Sequence, residues 1–260
     1  MLPVHSQQRR IVDLIAAIDH VIESTNATLN SCQALLAAYL RESFSVERDV
    51  VRRLGDLADM RSGPSWQADQ ESSKPSDDAV PVLKIANTRP DGTIDLTDRA
   101  YITGLPPSTA LLSESSLVMI RTNGNRARIG NVYRANKELV GHAVSAFQIA
   151  IRPHDPADSE YLFRFVQSGP VQAAISAEAS GSTGLGNIAV KWLRGLELPW
   201  LSEDERRSII EIAAAITEVI GKAQVDLRAA HDARAMLLSD LLHGGYEIPD
   251  AYDELLERAG

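Results

Sequence analysis

The sequence predicts an α+β protein, with one globular mixed α/β domain set between two long antiparallel coiled-coil helices. Three observations predict it. An apolar seam at alternating spacings of four and three runs through residues 11–39 and again through 209–241, the two seams share an internal repeat, and the residues between them change to short strand-like runs separated by turns.

The repeat is direct. "IVDLIAAIDHVI" at 11–22 aligns without gaps with "IIEIAAAITEVI" at 209–220, an offset of 198 residues, and each copy follows a Leu-Pro pair by a few positions, Leu2-Pro3 and Leu198-Pro199. The first seam is Ile11, Ile15, Ile18, Ile22, Thr25, Leu29, Cys32, Leu36 and Tyr39. The second is Ile209, Ala213, Ile216, Ile220, Ala223, Leu227, Ala230, Arg234, Leu237 and Leu241. A helix of some forty residues would be roughly 60 Å long, which suits a coiled coil better than a compact core. Ser202 with Glu205 forms a capping box that starts the second helix, Ser6 is placed to cap the first, and Gly244-Gly245 ends the second.

Composition excludes several classes. The 260 residues are 44% hydrophobic and 23% charged, as expected of a chain that buries a core. No apolar run is long enough to span a bilayer and the start lacks the pattern of a secretory signal, so a cytoplasmic protein with no membrane partner is expected. A single cysteine, Cys32, allows no internal disulfide. The six histidines have no paired spacing, so neither a metal nor another cofactor is expected.

Between the helices, "VPVLKIANT", "SLVMIRT" and "HAVSAFQIAIRP" read as strands. Asp91-Gly92 and Asn123-Gly124 read as turns, the polar stretch 64–79 as a loop, 159–180 as one or two helices, and the run after "GSTGLG" as strand-like. The net charge is −9, yet residues 46–200 carry 17 basic and 18 acidic side chains while 201–260 carry 6 and 13. The acidity therefore lies in the tail, and the middle is free to present a local positive field. Within it, residues 119–137 hold Arg121, Arg126, Arg128, Arg134 and Lys137 with no carboxylate. Guanidinium groups suit bidentate contact with phosphate or the guanine edge, asparagine suits adenine, and Gly124 and Gly130 would let the backbone approach a ligand. Lys84, Asn87 and Arg89 stand at another strand end, and Ser182, Thr183 and Asn187 at the Gly-rich turn.

Taken in order, "LGDLADMRSG", "VLKIANTRPDGTID", "SLVMIRTNGNRARIGNVY", "YLFRFVQSGPVQAAI", "GSTGLGNIAVKWLRGLELP" and "SEDERRSIIEIAAAI" resemble a specificity subunit of type I restriction-modification systems in a half-length form. The resemblance covers nearly the whole chain. It implies an N-terminal conserved helix over 1–45, a target recognition domain over 46–200, a C-terminal conserved helix over 201–244 and an acidic tail over 245–260. It also implies binding to double-stranded DNA at a bipartite site and docking of a DNA methyltransferase subunit, with or without a restriction and translocase subunit. Reading two half-sites would require a homodimer or pairing with a second specificity subunit. The DNA-binding residues carried over by position are Lys84, Asn87, Arg89, Arg121, Thr122, Asn123, Asn125, Arg126, Arg128, Ser182, Thr183 and Asn187. No Asn-Pro-Pro-aromatic or Asp-Pro-Pro-Tyr motif for base methylation is present, no acid-x-Lys follows Pro90-Asp91 or Pro249-Asp250, and "GSTGLG" lacks the Lys-Ser/Thr of a phosphate-binding loop, so no catalytic residue is expected. A stand-alone DNA-binding regulator and a helical interaction scaffold are the rival readings.

Overall fold

A computed structural model describes residues 5–45, 50–180 and 186–242. The Leu2-Pro3 pair, Ser182, Thr183, Gly244-Gly245 and the acidic tail lie outside the described residues. The elements in chain order are α1 (His5–Ser45), β1 (Val51–Arg53), α2 (Leu54–Leu57), β2 (Ala58–Ser62), β3 (Glu71–Ser72), β4 (Ala79–Leu83), β5 (Ala100–Thr103), β6 (Leu117–Ile120), β7 (Val132–Arg134), β8 (Ala143–Val144), β9 (Gln148–Pro153), α3 (Ser159–Gln167), α4 (Gly169–Ser180), α5 (Val190–Arg194), β10 (Glu197–Pro199) and α6 (Glu203–Leu242). The chain divides into two compact units, residues 37–213 and the pair of segments 1–36 with 214–260.

In the larger unit, one antiparallel sheet has the order β2-β9-β6-β7 and a second has the order β3-β5-β4-β8, in which only the β4–β8 pairing is parallel. Side chains alternate across a strand, so β9 sends Ala150 to one face and Ile149 and Ile151 to the other. Ala150 and Val118 pack with Leu83, Val144, Leu112 and Leu139, which joins the two sheets face to face. Met60, Leu117, Met119, Ile149 and Ile151 are fully buried as well. On the far side α3 packs on β7 and β9.

The start and the end of this unit meet. Val51 pairs with Pro199 and Arg53 with Glu197 in the β1–β10 ribbon, and the Leu54 amide donates to the Leu196 carbonyl at 2.8 Å. Beside the ribbon, the Tyr161 hydroxyl donates to the Pro199 carbonyl at 2.6 Å. Phe44, near the end of α1, lies 5.4 Å from the Tyr161 ring and 5.5 Å from the Phe165 ring. Arg52 and Arg206 stack over Trp200 at 4.7 and 4.2 Å, which ties the first turn of α6 to the same joint. α6 begins with the expected capping box: the Glu205 carboxylate accepts from the Ser202 amide at 3.0 Å and the Ser202 hydroxyl oxygen accepts from the Glu205 amide at 3.4 Å.

Along the two long helices the predicted seams are the buried faces. Every described seam residue of both helices is buried or half-buried, Cys32 among them as a free thiol, whereas Val12, Val21 and Leu35 of α1 are exposed. Arg234 sits in its seam because its guanidinium reaches Asp19 of α1, at 2.5 and 3.2 Å. The guanidinium holds the Asp19 carboxyl below its ordinary range. α1 ends and α6 begins at the ribbon, so the two helices run antiparallel.

Four expectations need correction. α1 is already helical at His5, so Ser6 lies within it and does not cap it. The stretch 64–79 is not merely a loop: it holds a 3-10 turn and β3, an edge strand fixed to β5 by the pairs Glu71–Ile102 and Ser72–Tyr101 and by the Gln70 side-chain amide donating to the Thr103 carbonyl at 2.9 Å. The run after the Gly-rich turn forms the short helix α5 before β10, with Leu193 as the buried residue of the helix. Gly130 has φ +91°, and a Cβ there would fall 2.6 Å from Ile175 Cγ2. Its backbone therefore approaches α4, not a ligand.

Candidate nucleic-acid interface

Three segments far apart in sequence meet at the end of the sheets where β4 and β6 finish. The first joins β4 to β5 and carries Lys84, Asn87 and Arg89. The second joins β6 to β7 and carries Arg121 to Arg128. The third, residues 186–188, follows the Gly-rich turn.

The second and third are bound directly. Arg121 Nε donates to Asn187 Oδ1 at 3.0 Å, the Thr122 hydroxyl donates to the Gly186 carbonyl at 2.7 Å, and the Ile188 amide donates to the Arg121 carbonyl at 2.9 Å. The first and second are tied by Arg128. One of its terminal nitrogens donates to the Thr88 carbonyl and hydroxyl, both at 2.8 Å, and to the Tyr133 hydroxyl at 3.2 Å. That hydroxyl in turn donates to the Arg89 carbonyl at 2.9 Å. Tyr133 is buried and joins the site as a positioning residue that sequence reasoning did not single out. The available signal was a lone tyrosine at an inward strand position, whose hydroxyl requires a partner when buried.

The structure sorts the expected residues by what their polar atoms already do. Asn87 is buried; its amide donates to the carbonyls of Asp95 and Asp98 at 3.0 and 2.8 Å, and its oxygen accepts from the Lys84 amide at 3.0 Å. It is an internal pin with little left to offer an outside molecule. Arg89 is exposed and paired with Asp95 at 2.8 Å. The Thr97 hydroxyl and amide, then Arg89, hold the Asp95 carboxyl well below the usual carboxylate range. Lys84 donates to Glu71 at 2.7 Å, and Glu71 also accepts from the Trp66 indole at 2.8 Å. Lys84, with Trp66, lowers the Glu71 carboxyl.

In the β6–β7 connection, the Asn123 side chain accepts from the Asn125 amide at 2.8 Å and the Asn125 side chain from the Ala127 amide at 3.1 Å. These two turns fold the backbone so that Gly124, Asn125 and Arg126 are exposed at the tip. Arg134 and Lys137 of the same basic run are carried to the far end of β7, where Arg134 pairs with Glu160 of α3. Of five clustered cations, two therefore stay at this edge with exposed or half-exposed side chains, Arg121 and Arg126, and Arg128 holds the edge together. The nearby carboxylates, Asp95 and Glu71, each have a cationic partner, so the edge carries no unmatched negative charge from either.

No protein-family profile and no curated protein sequence matches the chain. Solved structures do. The type I restriction-modification S subunit from M. genitalium superposes with a TM-score of 0.58 at 14% identity, covering 91% of this chain and 61% of that one. The HsdS subunit from Thermoanaerobacter tengcongensis gives 0.60 at 18% identity, covering 94% and 60%. A chain from a structure of the type I R-M system, concerned with complex assembly and conformational transition, gives 0.62 at 19% identity, covering 92% and 58%. The chain thus spans about three-fifths of the length of the chains it matches. Over the part it spans, the chain has the fold of the S subunits of type I restriction-modification systems.

Proposed function

We propose that the chain is a sequence-specific, non-catalytic DNA-binding specificity subunit of a type I restriction-modification system. The observation that carries this reading is the convergence of three sequence-distant connections on one edge, where Arg126 stands exposed at a tip shaped by two asparagine turns and Arg121 is oriented by Asn187. Cations there set register on phosphates, and Arg121, Arg126, Asn125 and Asn187 read base edges in the major groove. Ser182 and Thr183, outside the described residues, are included among the proposed DNA contacts on the sequence resemblance alone.

The long helices serve as a spacer and as the dock for a DNA methyltransferase subunit, with or without a restriction and translocase subunit. Support comes from the apolar side chains that pairing leaves outside: Val12, Val21 and Leu35 on α1, and Ile212, Val219, Val225 and Met236 on α6 are all exposed. A bipartite site requires a second reader, supplied by a second copy or by another specificity protein. The repeated helical sequence before and after the domain fits such pairing.

The test is selection of duplexes from a randomised pool by the purified chain, at several salt concentrations. A recovered motif whose binding weakens steeply with salt is expected. Binding to all sequences alike would contradict specificity, and failure to co-purify with a methyltransferase from the native host would favour a stand-alone regulator.

A further inference from the structure

Next to the β6–β7 connection lies an open cleft between the chain after β2, the exit from β4 and the β8–β9 turn, lined mostly by the apolar Pro64, Trp66, Ile85, Ala146 and Phe147, with Ser65, Ser145 and Lys84 among them. Phe147 is 56% exposed, which is unusual for a phenyl ring on a turn that is otherwise fixed. The turn is closed by the Gln148 amide donating to the Ser145 carbonyl at 3.0 Å and by the buried Gln148 side chain, which accepts from the Ser145 amide and hydroxyl at 3.1 and 2.7 Å. The Phe147 carbonyl accepts from the Arg121 and Thr122 amides at 2.9 and 3.4 Å, so the ring is mounted on the backbone of the proposed reading connection. The opposite wall is equally constrained, since a Cβ at Gly63 would fall 1.8 Å from the Val144 carbonyl oxygen. Among the described residues no carboxylate lines the cleft; Lys84, which does line it, is paired with Glu71, and Arg121, whose amide donates to the Phe147 carbonyl, is the neighbouring cation.

We propose that Phe147 is a specificity-determining residue that reads the 5-methyl group of a pyrimidine in the major groove, with Trp66 and Ile85 forming the rest of the apolar contact. The proposal rests on the DNA-binding reading above. Three features point to this ligand: an exposed ring on a fixed turn, a lining that is mostly apolar, and Arg121 on the adjoining connection to meet a phosphate. The C5-methyl is the apolar feature that a base pair presents in the major groove, and phenylalanine is among the side chains suited to it. Thymine and 5-methylcytosine share that chemistry.

The experiment selects duplexes from a randomised pool with the wild-type chain, Phe147→Ala and Phe147→Leu. The wild type should recover a motif with a thymine or a 5-methylcytosine-tolerant position that Phe147→Ala ignores while keeping the rest, and Phe147→Leu should retain part of the preference. Replacing that thymine by uracil removes only the methyl and should weaken wild-type binding by about fourfold, the worth of one buried methyl, with no effect on Phe147→Ala. At the same position, 5-methylcytosine bound better than cytosine and as well as thymine would mean the methyl alone is read; thymine preferred over both would assign the contact to thymine. An unchanged motif in Phe147→Ala, a loss of binding uniform over all sequences as for an inserted wedge, or an equal uracil effect in both proteins would overturn the proposal while leaving DNA reading intact. A wild-type chain that selects no motif would overturn both.

Discussion

The β4–β5 and β6–β7 connections both carry asparagine and arginine, but only the first has aspartates among them, and the structure uses the two in opposite ways. In the first, asparagine, arginine and aspartate face one another: Asn87 is buried on two carbonyls and Arg89 is held by Asp95. In the second, the Asn123 and Asn125 side chains accept from backbone amides two residues on, and Arg126 at this turn is exposed. A polar side chain whose donors and acceptors are matched in the buried interior stabilises the fold, and one exposed on a short local turn faces solvent, where a ligand arrives. Arg128 joins the two connections.

The largest effect expected from this contrast is on Asn87. Asn87→Ala leaves two carbonyls and one amide without partners in a buried place, and should lower stability by about 3 kcal/mol in a denaturant titration. A change within ~0.5 kcal/mol, normal for a surface site, would break the contrast. Next comes Arg128→Ala, which removes the tie between the connections and should cost about 2 kcal/mol while also weakening DNA binding, because both loops lose their relative placement. Tyr133→Phe sharpens the same point at smaller scale: losing the bond to the Arg89 carbonyl should cost about 1 kcal/mol, with a proportionate loss of affinity.

The smallest effect is on pH dependence. Asp95 has its folded pKa depressed, so its contribution is present above its ordinary pKa of 3.8 and is lost only as pH falls through the still lower folded value. The β4–β5 connection should therefore be indifferent to pH between 8 and 5. Burial lowers the pKa of His142, helped by the nearby Arg99 charge, so the unfolded chain takes up a proton below 6.5 before the folded chain does. Stability should decline as pH falls from 6.5 towards the folded value, and His142→Gln should flatten that decline in thermal melts across the same range.

The helices were legible because burial on one side of a long helix imposes a period that any chain must display; each described seam position proved to be at least half-buried. The Ser202–Glu205 cap was legible for a related reason, since its bonds are local. The meeting of the three connections was not legible. It depends on pairings such as Thr122 with Asn187, which no local pattern encodes. Nor could spacing separate Asn87 from Asn125, because burial and not residue type decides their roles. Gly130 illustrates the same limit: its positive φ is required by a turn, but the neighbour it accommodates is Ile175, on a helix forty-odd residues later.

The central claim is that the tip of the β6–β7 connection reads DNA while the groups behind it hold the fold. Its most direct measurement is the affinity of Arg126→Ala for its selected duplex and for random duplex, alongside the unfolding free energy of the same variant. Base reading predicts a loss of about 1–3 kcal/mol on the selected duplex, little change on random duplex, and unfolding within ~0.5 kcal/mol of wild type. Unchanged affinity for both duplexes, or a loss of binding that merely tracks a loss of stability, would contradict it.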